Sequence, residues 1–322
     1  MRVVFIGTGD IGLPVLRWLL ASEHVVVGAV TQPDKPVGRH QDLQAPAVKQ
    51  VAGEAGVPVF QPQKIGTPES LEALRALEPE VFVVMAYGQI LPRSVLQIPR
   101  VACLNLHASI LPRHRGAAPI QAAIEAGDPE SGITVMYMAE GLDTGDVLLV
   151  EPVRIRRRET GGTLHDRLAL TAPRALGEAL HLLALGAGPR VPQDSALATY
   201  AGKLSREHGR IAWESPGAVD RRVRAMNPWP GAFTWISLSG GVKKLKVFSV
   251  IQSKTPAEGA EGGTVLRVDE RGILVAAGEA SVWLGEVQLE GKKRMRAAEF
   301  VRGAAVRVGM RLGGEGEETR TA

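Results

Sequence analysis

One cysteine in 322 residues leaves this chain without an internal disulfide and without a cysteine-rich metal site. Cys103 sits inside the apolar run VACLNLH and reads as a small buried core residue. Aromatic residues are scarce at 4%, and no apolar run approaches the ~20 residues that a membrane-spanning helix needs. The amino terminus, MRVVFIGTGDIG, enters a strand pattern at once, without the basic flank, long apolar core and small-residue cleavage site of a secretory signal. A soluble, cytoplasmic protein with no membrane partner is the expectation.

What is present is an ordinary globular composition, 45% apolar and 22% charged, in a chain long enough for two domains with a core each. The formal net charge is only +4 but is unevenly placed. Residues Lys203 to Arg302 carry 17 Lys plus Arg against 11 Asp plus Glu, which leaves the rest of the chain at −2. A basic carboxyl half suits a polyanionic partner, and equally a solvated basic face.

Apolar β-type runs (RVVFIG, HVVVGAV, VPVF, VFVVMA, VACLNLH, ITVMYMA, VLLVEPVRI) recur as far as residue 155, several of them separated by helix-like stretches. They are continuous rather than alternating, which predicts an α/β domain with a mostly parallel sheet covered on both faces. One helix is expected after Leu43, with Pro46 near its first turn, Val48, Val51, Ala52 and Ala55 at helical spacing, and Gly56 as its cap. Another opens at Thr67-Pro68-Glu69 with Leu71, Leu74 and Leu77 on one face, and a long amphipathic pattern from Thr163 to Leu185 closes the domain. The expected division is a first domain over 1–188, a linker over 189–209 rich in Gly, Pro and polar residues, a small β-barrel over 210–308, and a disordered tail over 309–322.

Gly7-Thr8-Gly9-Asp10-Ile11-Gly12 follows a strand and opens a helix, which is the setting of a Rossmann-like dinucleotide turn. A dinucleotide site also wants an acidic residue at the end of the second strand, to hold the ribose hydroxyls. Here HVVVGAV ends in Thr31 and Gln32, and Asp34 follows Pro33 in a loop with two prolines. The glycines are therefore read as allowing a tight turn with close packing, with no NAD as cofactor.

NLHASILPRHRG, residues 105–116, holds polar groups at a strand tip. Alternate strand residues share a face, so Asn105 and His107 point the same way, and ligands of open parallel sheets bind beyond the carboxyl ends of the strands. AEGLDTGD, residues 139–146, follows the strand ITVMYMA and presents Asp143 between glycines. Asn, His and Asp at strand ends suit acyl transfer, with Asn105 and His107 as donors to a developing oxyanion and Asp143 orienting His107 or taking a proton. Singly, each has a structural explanation, a satisfied strand-end histidine or an aspartate capping its own turn. Ser109 is no good nucleophile for this site. A metal held by His107, His114 and Asp143 is a weaker alternative, and no metal is expected.

NLHASILPRHRGAAPIQAAI followed by GLDTGDVL resembles the folate-dependent formyltransferase family, whose catalytic Asn, His and Asp fall on Asn105, His107 and Asp143. The resemblance extends over nearly the whole chain, through TQPDKP at 31–36, QDSALATYAGKLS, MNPWPGAFT at 226–234 and GKKRMRAAEF at 291–300. It implies a Rossmann-like formyltransferase domain followed by an OB-like barrel. It also implies transfer of the formyl group of 10-formyltetrahydrofolate to the α-amino group of methionine on initiator methionyl-tRNA. Folate contacts are implied at Ser109, Ile110, Leu111 and Pro112 and at Met85, Tyr87, Gly88 and Ile90, and tRNA contacts at Arg39, Lys203 and Arg206. The loop after Arg39 carries His40-Gln41-Asp42 where the family is more basic. Formyltransferases acting on sugar nucleotides or purine precursors, a nicotinamide-dependent dehydrogenase and a non-catalytic RNA-binding protein are the alternatives.

Overall fold

The computed structural model describes residues 1–37 and 42–313. Among the described residues the chain divides into two units, one within residues 1–119, 129–154 and 164–202, the other of residues 120–128, 155–163 and 203–313.

In the first unit the strands are β1 (Arg2–Gly7), β2 (Val25–Val30), β3 (Lys35–Val37), β4 (Asp42–Gln44), β5 (Val59–Phe60), β6 (Val81–Met85), β7 (Ala102–His107), β8 (Arg115–Gly116), β9 (Glu130–Tyr137), β10 (Val147–Arg154) and β11 (Tyr200–Ala201). Seven of them form one sheet in the order β10-β9-β7-β6-β1-β2-β5. Its five strands from β7 to β5 run parallel, and β9 and β10 are antiparallel additions. Val3, Val4, Phe5 and Ile6 in β1 are fully buried, as expected of a strand covered on both faces.

The helices of this unit are α1 (Leu13–Ala21), α2 (Ala47–Glu54), α3 (Pro68–Ala76), α4 (Arg93–Leu96) and most of α6 (Gly161–Ala184), whereas α5 (Pro119–Ala126) belongs from Ile120 on to the second unit. Local chemistry sets several of their ends. Gly56, at φ +70°, closes the turn after α2 by donating its amide to Gly53. Thr67 caps α3 by accepting the amide of Ser70 at 3.3 Å, with Pro68 in the first turn. Leu74 of α3 is buried, with Leu71 and Leu77 packed beside it against Val4, Ile6 and Phe82. In α6, Leu164, Leu168, Ala172, Leu176 and Leu180 are buried at four-residue spacing or nearly so.

The second unit holds α7 (Pro216–Ala225), β12 (Phe233–Leu238), β13 (Gly241–Ser253), β14 (Val265–Asp269), β15 (Gly272–Ala277), β16 (Ala280–Leu289), β17 (Met295–Arg296) and α8 (Ala297–Gly303). The sheet order is β12-β13-β16-β15-β14, all antiparallel, with β17 beside β16, an arrangement consistent with a small barrel. Residues 309–313, expected as part of a tail, instead link its two edges. Val265 donates to Met310 and Leu312 to Gly263 on the β14 side, and Gly313 donates to Trp235 of β12. The rest of the expected tail, from residue 314, lies outside the described residues. No helix among the described residues is long and apolar enough to cross a membrane.

Candidate active site

β7 carries Asn105 and His107, and its parallel neighbour β6 places Val84 opposite Asn105. On the other side β9 runs antiparallel, so its carboxyl end comes to lie at the start of β7, where Met138 donates its amide to Cys103 at 2.8 Å. Asp143 therefore does not emerge at the same sheet edge as β7, as the strand-end reading of the sequence had it. The loop of residues 139–146 doubles back to bring it to Asn105 and His107.

Asp143 adopts φ +52°, and its side chain is only 12% exposed. One carboxylate oxygen accepts the Gly116 amide at 2.8 Å and lies 3.6 Å from Nδ1 of His107, and the other accepts Nδ2 of Asn105 at 3.3 Å. Nε2 of His107 donates to the carbonyl of His114 at 2.9 Å, so that nitrogen must carry a proton. The expected donor role of His107 thus cannot use Nε2 in this arrangement. Nδ1, held only loosely, is the nitrogen left to face a reacting group. Ser109 is fully buried and its hydroxyl donates to the carbonyl of Arg113 at 2.7 Å, so it offers no nucleophile. Among the described residues no group of three or more His, Cys, Asp or Glu side chains gathers as a metal site would require.

The segment after β6 lies at the crevice where the strand order reverses between β1 and β6, the usual ligand position of an open α/β sheet. Its Ala86 carbonyl accepts the amides of Thr8 and Gly9, each at 3.2 Å, and its Tyr87 carbonyl accepts Oγ1 of Thr8 and Nε2 of Gln32. Met85 and Tyr87 are buried, whereas Gly88, at φ +87°, is exposed and Ile90 is 79% exposed. The Tyr87 hydroxyl is buried without a partner, and burial pushes its pKa up to about 12. After β7, Ser109 and Leu111 are buried and Ile110 and Pro112 half-buried. The Leu111 amide is held by Oγ1 of Thr134 at 3.2 Å.

The glycine turn has a packing explanation. A Cβ on Gly7 would stand 2.6 Å from the carbonyl oxygen of Met85, and one on Gly9 would stand 3.1 Å from Cβ of Ala86. Asp34, the carboxylate that a dinucleotide ribose would need, is already bonded to Gln61 at 2.6 Å and to Lys49 at 2.8 Å. Those two partners hold its pKa below the usual carboxylate value, the Gln61 bond more than Lys49.

Of the expected tRNA contacts, Lys203 and Arg206 are exposed and Arg39 lies outside the described residues. In the second unit the Lys244 ammonium lies over the rings of Phe233 and Trp235, at 4.1 and 4.9 Å from their centroids. Three contributors to the site were not singled out from the sequence: the His114 carbonyl, the Gly116 amide and Gln193. The first two are backbone groups, for which side-chain type carries little signal. Gln193 opens the QDSALATYAGKLS stretch that carries part of the family resemblance, but that stretch has no periodicity and nothing in it marks Gln193 as a site residue.

The chain matches the model of the formyl transferase family over residues 1–180 and that of the formyl transferase C-terminal domain over residues 203–305. It belongs to the formyl transferase family, a family of enzymes. The methionyl-tRNA formyltransferase of Akkermansia muciniphila is 46% identical over 305 residues, covering 94% of this chain and 96% of its own length. That of Methylacidiphilum infernorum is 46% identical over 321 residues, covering 99% and 100%. Among solved structures, the N-formyltransferase of Helicobacter canadensis, in complex with folinic acid and dTDP-3-aminofucose, matches with a TM-score of 0.64 at 13% identity over 92% of this chain and all of its own. HypX from Aquifex aeolicus, in complex with tetrahydrofolic acid, matches with a TM-score of 0.58 at 17% identity, over 94% of this chain and 47% of that one. At those identities the likeness is one of fold.

Proposed function

We propose that this chain transfers the formyl group of 10-formyltetrahydrofolate to the α-amino group of methionine on initiator methionyl-tRNA, in the cytoplasm, yielding the formylated initiator for translation. The observation that carries the proposal is the convergence of Asn105, His107 and Asp143 around one carboxylate. Attack of a neutral amine on the formyl carbon builds a tetrahedral oxyanion, and a preorganised donor stabilises such an oxyanion by about 3 kcal/mol. The Asn105 amide supplies one donor and, with the His107 ring carrying a proton on each nitrogen, Nδ1 supplies a second. Asp143 takes the proton that the amine must lose as the new C–N bond forms, and the C–N bond to the folate then breaks with the proton returned to its nitrogen. No covalent intermediate on the chain is needed.

The folate lies along Met85, Tyr87, Gly88 and Ile90 and along Ser109, Ile110, Leu111 and Pro112. The tRNA phosphates are held by the basic carboxyl half together with Lys203, Arg206 and Arg39. Purified protein supplied with labelled formyl donor and methionyl-tRNA should accumulate formylmethionyl-tRNA. Label passing instead to a nucleotide-linked amino sugar, with none in the tRNA, would overturn the proposal.

A further inference from the structure

Gln193 lies in the segment between α6 and the end of the first unit, and its amide is fully engaged. Nε2 donates to the carbonyls of Asp143 at 2.9 Å and Gly145 at 2.8 Å. Oε1 accepts Nε of Arg115 at 3.0 Å and Nη2 at 2.7 Å. Both hydrogens and the oxygen of the amide are thereby used, and their direction is forced. A guanidinium can only donate, so the amide oxygen must face Arg115 and the NH2 must face the loop. Arg115 is 2% exposed, and among the described residues its guanidinium is bonded to no other side chain.

The segment is anchored on either side of Gln193. Val191 and Val147 exchange both backbone hydrogen bonds, at 2.8 and 3.0 Å, and the Arg115 amide donates to Thr199 at 2.8 Å. Gln193 is thus held in register with the far end of the loop and with the strand residue beside Gly116. The loop itself has a demanding shape. Asp143 sits in the left-handed region, and a Cβ on Gly145 would collide with the Tyr137 carbonyl. A backbone carbonyl pinned on each side of Thr144 fixes where the Asp143 carboxylate points.

We infer that Gln193 is a positioning residue for the formyl transfer: clamped in orientation by Arg115, it holds the Asp143 carboxylate where it accepts the proton of the attacking amine. This rests on the role proposed above for Asp143. Gln193→Glu isolates the function, because the new carboxylate still pairs with Arg115 while its oxygens face the Asp143 and Gly145 carbonyls and cannot donate to them. A displacement of a reacting group by about 1 Å costs on the order of 100-fold in rate. The full-length Gln193→Glu variant is therefore expected to lose roughly ten- to a hundredfold in kcat with KM for both substrates within about twofold, the pattern of a transition-state defect. Its pH–rate profile should shift on the limb set by the proton acceptor.

The same substitution in an Asp143→Ala background should lower kcat little further, because the residue through which it acts is gone. A single variant with unchanged kcat, while Asp143→Ala is impaired, refutes the inference alone. So does full additivity in the double variant. An Asp143→Ala enzyme with normal kcat removes the proposed role of Asp143 and the inference with it. Should Gln193→Glu fold poorly, Gln193→Met, which keeps side-chain length but neither donates to the carbonyls nor pairs well with Arg115, takes its place with the same expected split between kcat and KM.

Discussion

Replacing Asn105 by alanine separates a contribution to folding from a contribution to the transition state. Its bond to Asp143, at 3.3 Å, lies beyond the usual range for an amide donor, so the folded protein gains little from it. Its loss should cost about 1 kcal/mol of stability, or a fall in midpoint of about 2–4 °C for a unit of this size. If the same amide turns to the developing oxyanion, its loss should cost about 2.7–4 kcal/mol in the transition state, a fall in kcat of about 10²–10³-fold. Steady-state kinetics with saturating folate donor and methionyl-tRNA, on protein shown to be folded by its circular dichroism and unfolding midpoint, read the two numbers separately. A kcat within about fivefold of the parent would refute the donor role. So would an unchanged kcat with a large rise in the KM of either substrate, which would make Asn105 a binding group.

Four further outcomes follow from the packing and charge around the site. Gly7→Ala should destabilise the first unit by about 1–3 kcal/mol in thermal or urea unfolding, because the new methyl meets both the Met85 carbonyl oxygen and the fully buried ring of Phe5. Tyr87→Phe should raise the unfolding midpoint of the empty protein by removing an unpartnered hydroxyl, worth about 1 kcal/mol, and should raise the KM for the folate donor; a lower midpoint counts against the first half and an unchanged KM against the second. Burial holds the Cys103 thiol and the Tyr87 hydroxyl at about 12, above their ordinary 9.0 and 10.0. The unfolded chain ionises first, so their contribution is complete below pH 9 and is lost as pH rises towards 12, which denaturant titrations across that window would detect. Lys203→Ala should leave stability within about 0.5 kcal/mol but weaken methionyl-tRNA binding and reduce the salt slope by about 1, and identical slopes would remove Lys203 from the interface.

Where one residue's chemistry decides a feature, the sequence was readable. Gly56 and Thr67 marked helix ends because a left-handed cap and a hydroxyl cap are local devices. The apolar runs marked the strands because burial on both faces needs continuous apolar character. The direction of β9 was not readable, since a buried strand presents the same composition whether it runs parallel or antiparallel. That is why the path of Asp143 to the site came only from the structure. Helix α7 was missed because it buries few apolar residues, Val219 and Val223 among them, beneath a charged RRVR surface. Residues 309–313 contribute backbone bonds to the barrel edges, and their glycine-rich composition gave no sign of it.

The same division explains why the kinds of residue at the site were legible and their arrangement was not. The contacts among Asn105, His107 and Asp143 themselves are loose, at 3.3 and 3.6 Å. The short ones run from the chain between His114 and Gly116, whose carbonyl takes Nε2 of His107 at 2.9 Å and whose amide binds the Asp143 carboxylate at 2.8 Å. His114 and Gly116 both have positive φ, at +57° and +111°, and the backbone of Ala201 leaves no room for a Cβ on Gly116. One tripeptide therefore sets the separation of the imidazole and the carboxylate, and the side chains need not grip each other. Loose contacts suit catalysis here, because Asn105 and Nδ1 of His107 must be free to exchange the carboxylate for a transient oxyanion without disturbing the frame that holds them.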